Sequence, residues 1–395
     1  MKNLFHRILC EGSKFARENR LLRGVIYRPL RGVLRKRFAT FSYALSIPNP
    51  NSSVTPDEWH PPIPSRYTFG ILRDSFFSHV PYCAACQELG IAYKVIDWMA
   101  VDWVDRIKKS GCDAFLAWPG ECIEQWKRMY DDRLRFMVED MGRIVYPSLK
   151  ALWLYGSKER QQGWLEIHGF PHPDTWVFYN QNEALDFVEK FDGLNVKPGK
   201  GGVGCLVAKV DIGSSALGVR ILHTKAEAKA YVAKAFSIGV PNGAYCDVAA
   251  RQWRHVFFQR HIGEAREWRM IRLGDSYFGY EKVKRGEFHS GTGLGEWNTP
   301  SNELLQLIHS VAEECGSSCM SMDVFQVPEG KLYINEMQCM FGAYDTAQMY
   351  VNGTPGRFVR NQDGVFAFEK GHFCVNHCCN LRVEDLISIL DAQNR

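Results

Sequence analysis

The chain has 395 residues, 46% hydrophobic and 23% charged, with a formal net charge of +4. This composition is typical of a globular protein with two or three hydrophobic cores, and it excludes a chain that is disordered throughout. No apolar run reaches the roughly 18 residues of a membrane-spanning helix, and the N-terminus has no signal-peptide core, so we expect a cytoplasmic protein. The odd number of cysteines, 13, favours reduced thiols over a disulfide framework.

The first segment, residues 1–45, is basic and amphipathic. Eleven Lys and Arg residues occur among its first 37 positions against Glu11 and Glu18, and apolar residues intersperse with them at roughly helical spacing. This pattern suits helices that lie on an anionic membrane surface, which would make the protein peripheral on the inner face of a membrane. The alternative is a helix packed on the protein body with its basic face solvated. We expect no nucleic-acid partner, because the segment lacks the aromatic and glycine content of nucleic-acid-binding arms.

Residues 46–66 are rich in proline and predict a linker. The next segment, 67–150, alternates strands and helices. The predicted elements are a strand over 67–72, a helix over 82–89, a strand over 92–97, a helix over 103–109 and a strand over 113–119. This alternation predicts a small parallel sheet, whose ligands bind at the carboxyl ends of its strands.

Two cysteine clusters have a packing interpretation and a chemical one. Cys83 and Cys86 have the spacing of a redox motif, but they lie on a predicted helix with no partner motif, which favours packing. Cys374, His377, Cys378 and Cys379 could ligate zinc, yet the adjacent Cys378 and Cys379 give awkward geometry and no second pair is spaced to complete a tetrahedron. We therefore interpret both clusters as packed thiols.

A strand that ends at Lys209 is followed by a Gly/Ser-rich loop. Glycine allows close backbone approach, serine hydroxyls and backbone N–H groups donate hydrogen bonds, and lysine supplies a positive charge, so the loop is suited to phosphate. An ordinary glycine hairpin is the alternative. The segment 195–205 also contains glycines and lysines, and its Lys197 competes with Lys209 for this role. It lacks the Gly-Lys-Ser/Thr ending of a P-loop.

After a predicted helix over 224–237, two strands follow at 256–262 and 267–274, the second carrying Glu267 and Arg269. The basic loop 280–293 comes next. Its Lys282, Lys284 and His289 would donate hydrogen bonds to a developing anion; His289 is alternatively a surface residue.

The last predicted strand pair spans 322–325 and 333–338. It carries Asp323, Glu336 and Gln338, and strand alternation places Glu336 and Gln338 on the same side. Such an oxygen-ligand set suits Mg²⁺, which usually takes one or two carboxylates together with substrate phosphates. Solvent-facing acids on an ordinary hairpin are the alternative.

The order of these pieces, from about residue 153 to 340, resembles the ATP-grasp superfamily, which includes glutathione synthetase, D-alanine–D-alanine ligase and the ribosomal-protein glutamate ligases. The resemblance implies a mixed α+β and α/β fold. In it, a small parallel-sheet domain at 67–150 precedes a two-part ATP-grasp fold. That fold comprises a lid subdomain at 151–255 and a C-terminal catalytic subdomain at 256–395.

The resemblance also implies roles for individual residues. The nucleotide-binding residues would be Lys158, Lys209, the lid-loop residues Gly213, Ser214, Ser215 and Gly218, and the hinge residues Gln259, Arg260, His261 and Ile262. Arg269 would steady the transferred phosphoryl group, and Asp323, Glu336 and Gln338 would bind Mg²⁺. Two positions depart from the family pattern. Gln338 replaces the usual asparagine, and Arg260 stands where many members have an acid.

The activity that this resemblance implies is ATP-dependent ligation of a small-molecule carboxylate and an amine or thiol through an acyl phosphate, with ATP and two Mg²⁺ ions. Amino acids, peptides and amino sugars are the candidate substrates. A small-molecule or sugar kinase on the same scaffold is the first alternative. The second is a non-catalytic, nucleotide-binding scaffold associated with a membrane. The sequence specifies neither the substrates nor the oligomeric state.

Overall fold

The computed structural model describes residues 56–74, 78–120, 124–195, 205–213, 218–242, 250–284, 295–341 and 348–393. Several predicted features lie outside these described residues. They are the basic segment 1–45, the first part of the linker, the rival phosphate loop with Lys197, the loop residues Ser214 and Ser215, and His289.

The first part of the described chain is a five-stranded sheet with the order β1-β3-β2-β4-β5. Its strands are β1 Glu58–Trp59, β2 Thr68–Leu72, β3 Ala92–Ile96, β4 Ala114–Leu116 and β5 Ile144–Tyr146. Its helices are α1 Val80–Glu88, α2 Trp103–Lys109 and α3 Glu124–Arg135, the last continued by a π-helical turn at Phe136–Asp140. The strands β2 to β5 pair in parallel, as their alternation with helices predicts.

The described part of the predicted linker, residues 56–66, contains one short strand. Within that range β1 pairs antiparallel with β3, and the Asp57 carbonyl accepts a hydrogen bond of 2.6 Å from the backbone of Val95. A strand of two residues is too short to give a periodic signal. It adds an antiparallel edge to the otherwise parallel sheet.

Two helices connect this sheet to a four-stranded antiparallel sheet, which we call the lid sheet. These are α4 Leu149–Leu154 and α5 Lys158–Ile167. The lid sheet has the order β6-β11-β7-β8, and a short pair β9–β10 lies beside it. The elements of this region are β6 Thr175–Phe178, α6 Gln181–Lys190, a 3₁₀ turn Asp192–Asn195, β7 Leu206–Lys209, β8 Arg220–Leu222, α7 Lys225–Ser237, β9 Val240–Pro241, β10 Arg251–Gln252 and β11 Val256–Arg260.

The last part of the chain is an eight-stranded antiparallel sheet, which we call the large sheet. Its main order is β16-β15-β12-β13-β18-β17, with β14 paired to β13 and β19 paired to β18. The elements are β12 Arg266–Leu273, β13 Ser276–Lys282, β14 Gly295–Glu296, α8 Asn302–Cys315, β15 Cys319–Gln326, β16 Leu332–Gln338, β17 Met349–Val351, β18 Thr354–Arg360, β19 Phe366–Lys370, a 3₁₀ turn Val375–Cys378 and α9 Cys379–Gln393.

Helix ends in this fold follow from local chemistry. The side chain of Thr224 accepts a hydrogen bond from the backbone of Glu227, whose side chain bonds back to Thr224, so α7 begins with a capping box. The side chain of Ser301 caps α8, and Gly316 ends it at φ 64°, a conformation that glycine adopts without strain. Such signals are local, which is why the predicted helix over 224–237 agrees with α7.

Two separate hydrophobic cores stabilise the described chain. The larger joins the parallel sheet to the large sheet and includes α8 and α9. The smaller lies within the lid region, where Val188 of α6 and Val232 of α7 pack against Phe258 of β11. The predicted boundary at residue 255 is therefore too early, because β11 belongs to the lid sheet.

The start of the predicted lid subdomain at residue 151 also needs correction. The side chain of Gln161 on α5 bonds the backbone N–H and carbonyl of Met337, at 2.9 and 2.8 Å, so α5 packs on the edge of the large sheet. In the part of the chain that the structure describes, no helix is long and apolar enough to cross a membrane.

Candidate functional site

Arg269 and Asp323 form the centre of the candidate site. They are opposite one another on β12 and β15, where Arg269 Nε and Nη2 donate to the two carboxylate oxygens at 2.8 and 2.9 Å. Burial alone would raise the pKa of Asp323, but the charges of Arg269 and Lys282 outweigh it and hold the pKa well below its usual range. Asp323 is therefore an anion at neutral pH, in a bidentate pair of fixed geometry.

Lys282 joins this pair from β13. Its ammonium bonds Asp323 and also Glu267 Oε1 at 2.8 Å, and both carboxylates are buried. Glu267 and Lys282 are opposite one another in the ladder. The result is a row of alternating charges, Glu267, Lys282, Asp323 and Arg269, on one face of the large sheet. The sequence placed Lys282 in a catalytic loop, whereas it is the last residue of a strand.

A β-bulge lies beside Asp323 on β16. Asp323 pairs with Glu336 but the next residue, Val324, pairs with Ile334, so Asn335 is the extra residue. Asn335 and Glu336 are both half-buried, whereas Ile334 and Met337 on either side of them are buried. The bulge therefore brings Asn335 to the same face as Glu336, which simple strand alternation does not predict.

Lys209 contacts this bulge from the lid sheet. Its Nζ donates to Asn335 Oδ1 at 2.8 Å, so the two sheets meet here. Burial lowers the pKa of Lys209 to about 8, opposed by the charge of Glu336 and reinforced by that of Lys158. The sequence identified Lys209 but missed Asn335, since the only signal for Asn335 is its position next to Glu336.

Lys158 approaches Glu336 from the start of α5. Its Nζ lies 3.9 Å from Glu336 Oε1 and donates to the carbonyls of Asp211 and Gly213, at 3.2 and 2.7 Å. The Asp211 carboxylate accepts from Ser157 Oγ at 2.9 Å and from the backbone of Glu159 at 2.8 Å. Asp211 thereby ties the start of the Gly/Ser loop to the N-terminus of α5, a connection that the sequence did not reveal.

Two glycines of the predicted lid loop are described. Gly213 accepts the bond from Lys158. Gly218 has φ +76°, and a Cβ there would lie 2.5 Å from a methyl of Val210 and 2.9 Å from the carbonyl of Asn242. Only glycine fits position 218 without strain. The roles of Ser214 and Ser215 stay predictions, because both lie outside the described residues.

The predicted hinge, 259–262, lies at the end of β11. Gln259 is buried, and its side chain donates to Thr175 Oγ1 at 3.2 Å. The backbone N–H groups of Arg260 and His261 donate to the carbonyls of Asp174 and Cys205, at 2.8 and 2.9 Å. Both N–H groups therefore already donate hydrogen bonds within the protein. A backbone contact between the hinge and a nucleotide base would have to use other hinge groups.

Some predicted residues are not brought into this cluster. The guanidinium of Arg260, at the end of β11, pairs with Asp174 at 2.8 Å, which explains why a basic residue is accommodated there. Lys284 is exposed, and His289 lies outside the described residues. Gln338 pairs with Ser321, two residues along the strand from Glu336.

The oxygen donors of the cluster fit a magnesium ion in chemical type. Each carboxylate oxygen has two acceptor sites, so Asp323 keeps acceptor capacity after bonding Arg269 and Lys282. Glu336 would supply a further oxygen, and the amide of Gln338, two residues along the strand and outside the cluster, would be a third donor. No group of three His, Cys, Asp or Glu side chains within the described ranges is arranged to hold a metal ion.

The cysteine pair of α1 belongs to the larger hydrophobic core. Cys83 and Cys86 are buried on α1, and burial raises the pKa of Cys86 well above its ordinary value, as expected of packed thiols. A surface cleft of about 700 Å³ lies between α8 and β16, lined by residues that include Phe170, Leu307 and Tyr333. It contains none of the predicted site residues.

Comparison with known proteins identifies the fold. No protein-family model matches the chain. A tetrahydromethanopterin:α-L-glutamate ligase from Methanococcus maripaludis is 28% identical over 137 residues, which is 35% of this chain and 46% of that ligase. The chain thus matches about half the length of this relative.

Solved structures cover more of the chain at lower identity. D-alanine–D-alanine ligase from Bacillus anthracis has a TM-score of 0.52 and 14% identity, covering 83% of this chain and 99% of its own. D-cycloserine synthetase has a TM-score of 0.51 and 15% identity, covering 82% and 99%. The chain therefore has the ATP-grasp fold.

Proposed function

We propose that the protein is an ATP-dependent ligase that joins a carboxylate to an amine through an acyl phosphate. The observation that carries this proposal is the placement of cations around oxygen donors at the meeting of the two sheets. Arg269 and Lys282 bond Asp323 on the large sheet, and Lys209 reaches Asn335 from the lid sheet. A site of this kind acts by holding and neutralising phosphate oxygens.

In the proposed reaction, a carboxylate oxygen of the substrate attacks the γ-phosphorus of ATP, which gives an acyl phosphate and ADP. The amine then attacks the acyl carbon, the amide forms, and inorganic phosphate leaves. Lys158 and Lys209 would bind the phosphates of the nucleotide, and Arg269 would stabilise the charge on the transferred phosphoryl group. The family resemblance and the partial match to a glutamate ligase support this choice.

Asp323, Glu336 and Gln338 would hold Mg²⁺. A bound Mg²⁺ would neutralise charge on the triphosphate, and the presence of two ions stays a prediction. The protein's own residues set the geometry, because Arg269 and Lys282 fix the Asp323 carboxylate and the bulge fixes Glu336. We also propose that the candidate substrates are small amino acids, peptides or amino sugars.

Trapping the acyl phosphate tests the proposal. The protein is incubated with ATP, Mg²⁺ and pools of amino acids or amino sugars, with and without hydroxylamine, and products are identified by mass spectrometry. A ligase forms ADP and an amide, and hydroxylamine diverts the acyl phosphate to a hydroxamate. ADP with a phosphate ester and no hydroxamate would instead identify a kinase. Absence of ADP with every pool, together with nucleotide binding, would identify a non-catalytic scaffold.

A further inference from the structure

Arg382 on α9 is a buried cation that the described residues leave unpaired. Its side chain is 0% exposed, and none of Nε, Nη1 and Nη2 has a hydrogen-bond partner among the described residues. Removing a guanidinium from water without compensation is strongly unfavourable, and arginine does not lose its proton to avoid that cost. An anionic ligand at this position would offset that cost.

The surroundings of Arg382 compensate its charge only in part. The guanidinium carbon lies 4.6 Å from the ring centroids of both Trp118 and Phe341, which are favourable cation–π contacts. The groups that act on its charge are the Tyr82 hydroxyl and the thiols of Cys319 and Cys379, whose pKa values burial raises, together with the thiol of Cys378. The Tyr82 hydroxyl is buried and also has no hydrogen-bond partner in the described part of the chain. Tyr82 and Arg382 therefore act on one another's charge, although neither side chain makes a hydrogen bond of good geometry to a described residue.

Arg382 and Tyr82 lie on the sheet face that carries the candidate site, near Cys319 at the start of β15. Cys319, Ser321 and Asp323 alternate along β15 and therefore point to one face. Arg382 is next to Cys319, whereas Arg269 bonds Asp323, and four residues of a strand span roughly 13 Å. The hydroxyl of Ser321, between the two ends, is buried and also without a partner among the described residues. One unsatisfied hydroxyl, that of Ser321, therefore lies between the candidate site and Arg382.

We propose that Arg382 is the recognition residue of a carboxylate-binding subsite on this face, near Cys319. Its ligand would be a carboxylate at the end of the substrate that is remote from the reacting group, bound by the guanidinium fork and by Tyr82. A planar carboxylate accepts two parallel N–H bonds from such a fork. Only the assignment of this carboxylate to the substrate rests on the proposed ligase function; the anion site itself does not.

Thermal unfolding of the full chain without nucleotide tests the subsite. Succinate is the probe, and sodium chloride at equal ionic strength and pH is the reference. Because the guanidinium is fully covered, the protein is equilibrated with succinate before heating. Succinate should raise the Tm of the wild type by several degrees, since a ligand that binds only the folded state stabilises it. Arg382→Met should abolish this shift.

The behaviour of Arg382→Met in the sodium chloride reference buffer, without succinate, is a second readout. Removing an unpaired buried charge should leave the Tm unchanged or raise it. Arg272→Met is the matched control, because Arg272 is also buried but pairs with Glu313 at 2.6 Å. The control should lower the Tm and keep the succinate shift. Tyr82→Phe should keep the fold and reduce the shift, and it decides the question if Arg382→Met does not fold.

Several outcomes would overturn the proposal. These are a wild type without a succinate shift, an equal shift in Arg382→Met or in Tyr82→Phe, and a shift with inorganic phosphate but not with succinate. A succinate shift in a protein that makes no ADP would retain the subsite and reject the ligase. Ligase turnover without the shift would reject the subsite alone.

Discussion

Lys209 has a pKa of about 8 because it is buried, and this value places its loss of charge within the range of ordinary assays. If the ammonium binds phosphate, nucleotide affinity should be constant below pH 8. Above pH 8 the nucleotide affinity should fall, by up to about tenfold per pH unit. The fall should end at the pH where Lys209 also loses its proton in the nucleotide complex. Calorimetric titration with ADP and Mg²⁺ between pH 6.5 and 9.5 measures this profile.

The controls for this profile are substitutions of lysine. Lys209→Arg keeps its charge over the whole range and should flatten the profile. Lys209→Ala should weaken binding strongly, whereas Lys197→Ala should have little effect. A reversal of these last two results would mean that the phosphate loop begins at Lys197.

Glu336 tests the metal assignment. Glu336→Gln removes a negative charge from a half-exposed position, so we expect ADP formation to be abolished while the Tm changes little. Turnover at different Mg²⁺ concentrations and a melting curve measure the two effects. Gln338→Asn is the companion variant, because it restores the residue usual in the family and should retain activity. Unchanged turnover in Glu336→Gln would falsify the metal site.

At the scale of elements, the bulge in β16 is the feature with the most direct consequence. Deleting Asn335 should leave the pairs Asp323–Glu336 and Val324–Ile334 intact, because Asn335 is the extra residue between them. The deletion removes the acceptor of the Lys209 ammonium, and a hydrogen bond to a charged group contributes about 1.5–3 kcal/mol. We expect nucleotide affinity to fall about tenfold or more, with the fold retained.

Asn335→Ala separates the amide from the backbone geometry. It keeps the extra residue but removes the acceptor, so an equal loss in both variants assigns the effect to the amide. If the deletion lowers nucleotide affinity more than Asn335→Ala does, the additional decrease is assigned to a change in the position of Glu336. Isothermal titration with ADP and Mg²⁺ measures both. Unchanged affinity in both variants would mean that Lys209 does not need this partner.

Local signals predicted most of the elements. The strand ending at Lys209, the helix capped by Thr224 and the final hairpin agree with β7, α7 and the β15–β16 pair. These elements carry their own periodicity, caps and turns. The short strand β1 was not predicted, because two residues give no period. The membership of β11 in the lid sheet was not predicted either, since strand pairing is set by contacts distant in sequence.

The candidate site could be predicted in its residue types and less well in its arrangement. Arg269, Lys282, Asp323 and Glu336 are brought together as a cluster, and Lys158 and Lys209 reach it. Asn335 was missed because a bulge breaks the alternation on which face assignments depend. The cation of Arg382 was missed because nothing in its helix distinguishes a buried arginine from a solvated one. Such features depend on the assembled fold.

At the scale of the whole molecule, the basic segment 1–45 has two interpretations with opposite consequences. If it binds anionic membranes, the full chain should sediment with anionic vesicles and be released by salt, since each Lys or Arg near the surface contributes about 1 kcal/mol. Deleting 1–45 should then abolish sedimentation and leave turnover unchanged. If it packs on the body, the deletion should lower the Tm or cause aggregation. Aggregation, with no vesicle binding by the full chain, would refute the membrane interpretation.

The two separate hydrophobic cores bear on every melting experiment. Because the smaller core lies wholly within the lid region, the lid can lose its structure while the larger core persists. Calorimetry should then resolve two heat-absorption peaks, and a single midpoint would not describe the protein. Succinate should move only the peak of the larger core, which contains Trp118 and Phe341. A nucleotide held by Lys209 and Glu336 should move both peaks and bring them together, so the number of peaks itself reports which ligand is bound.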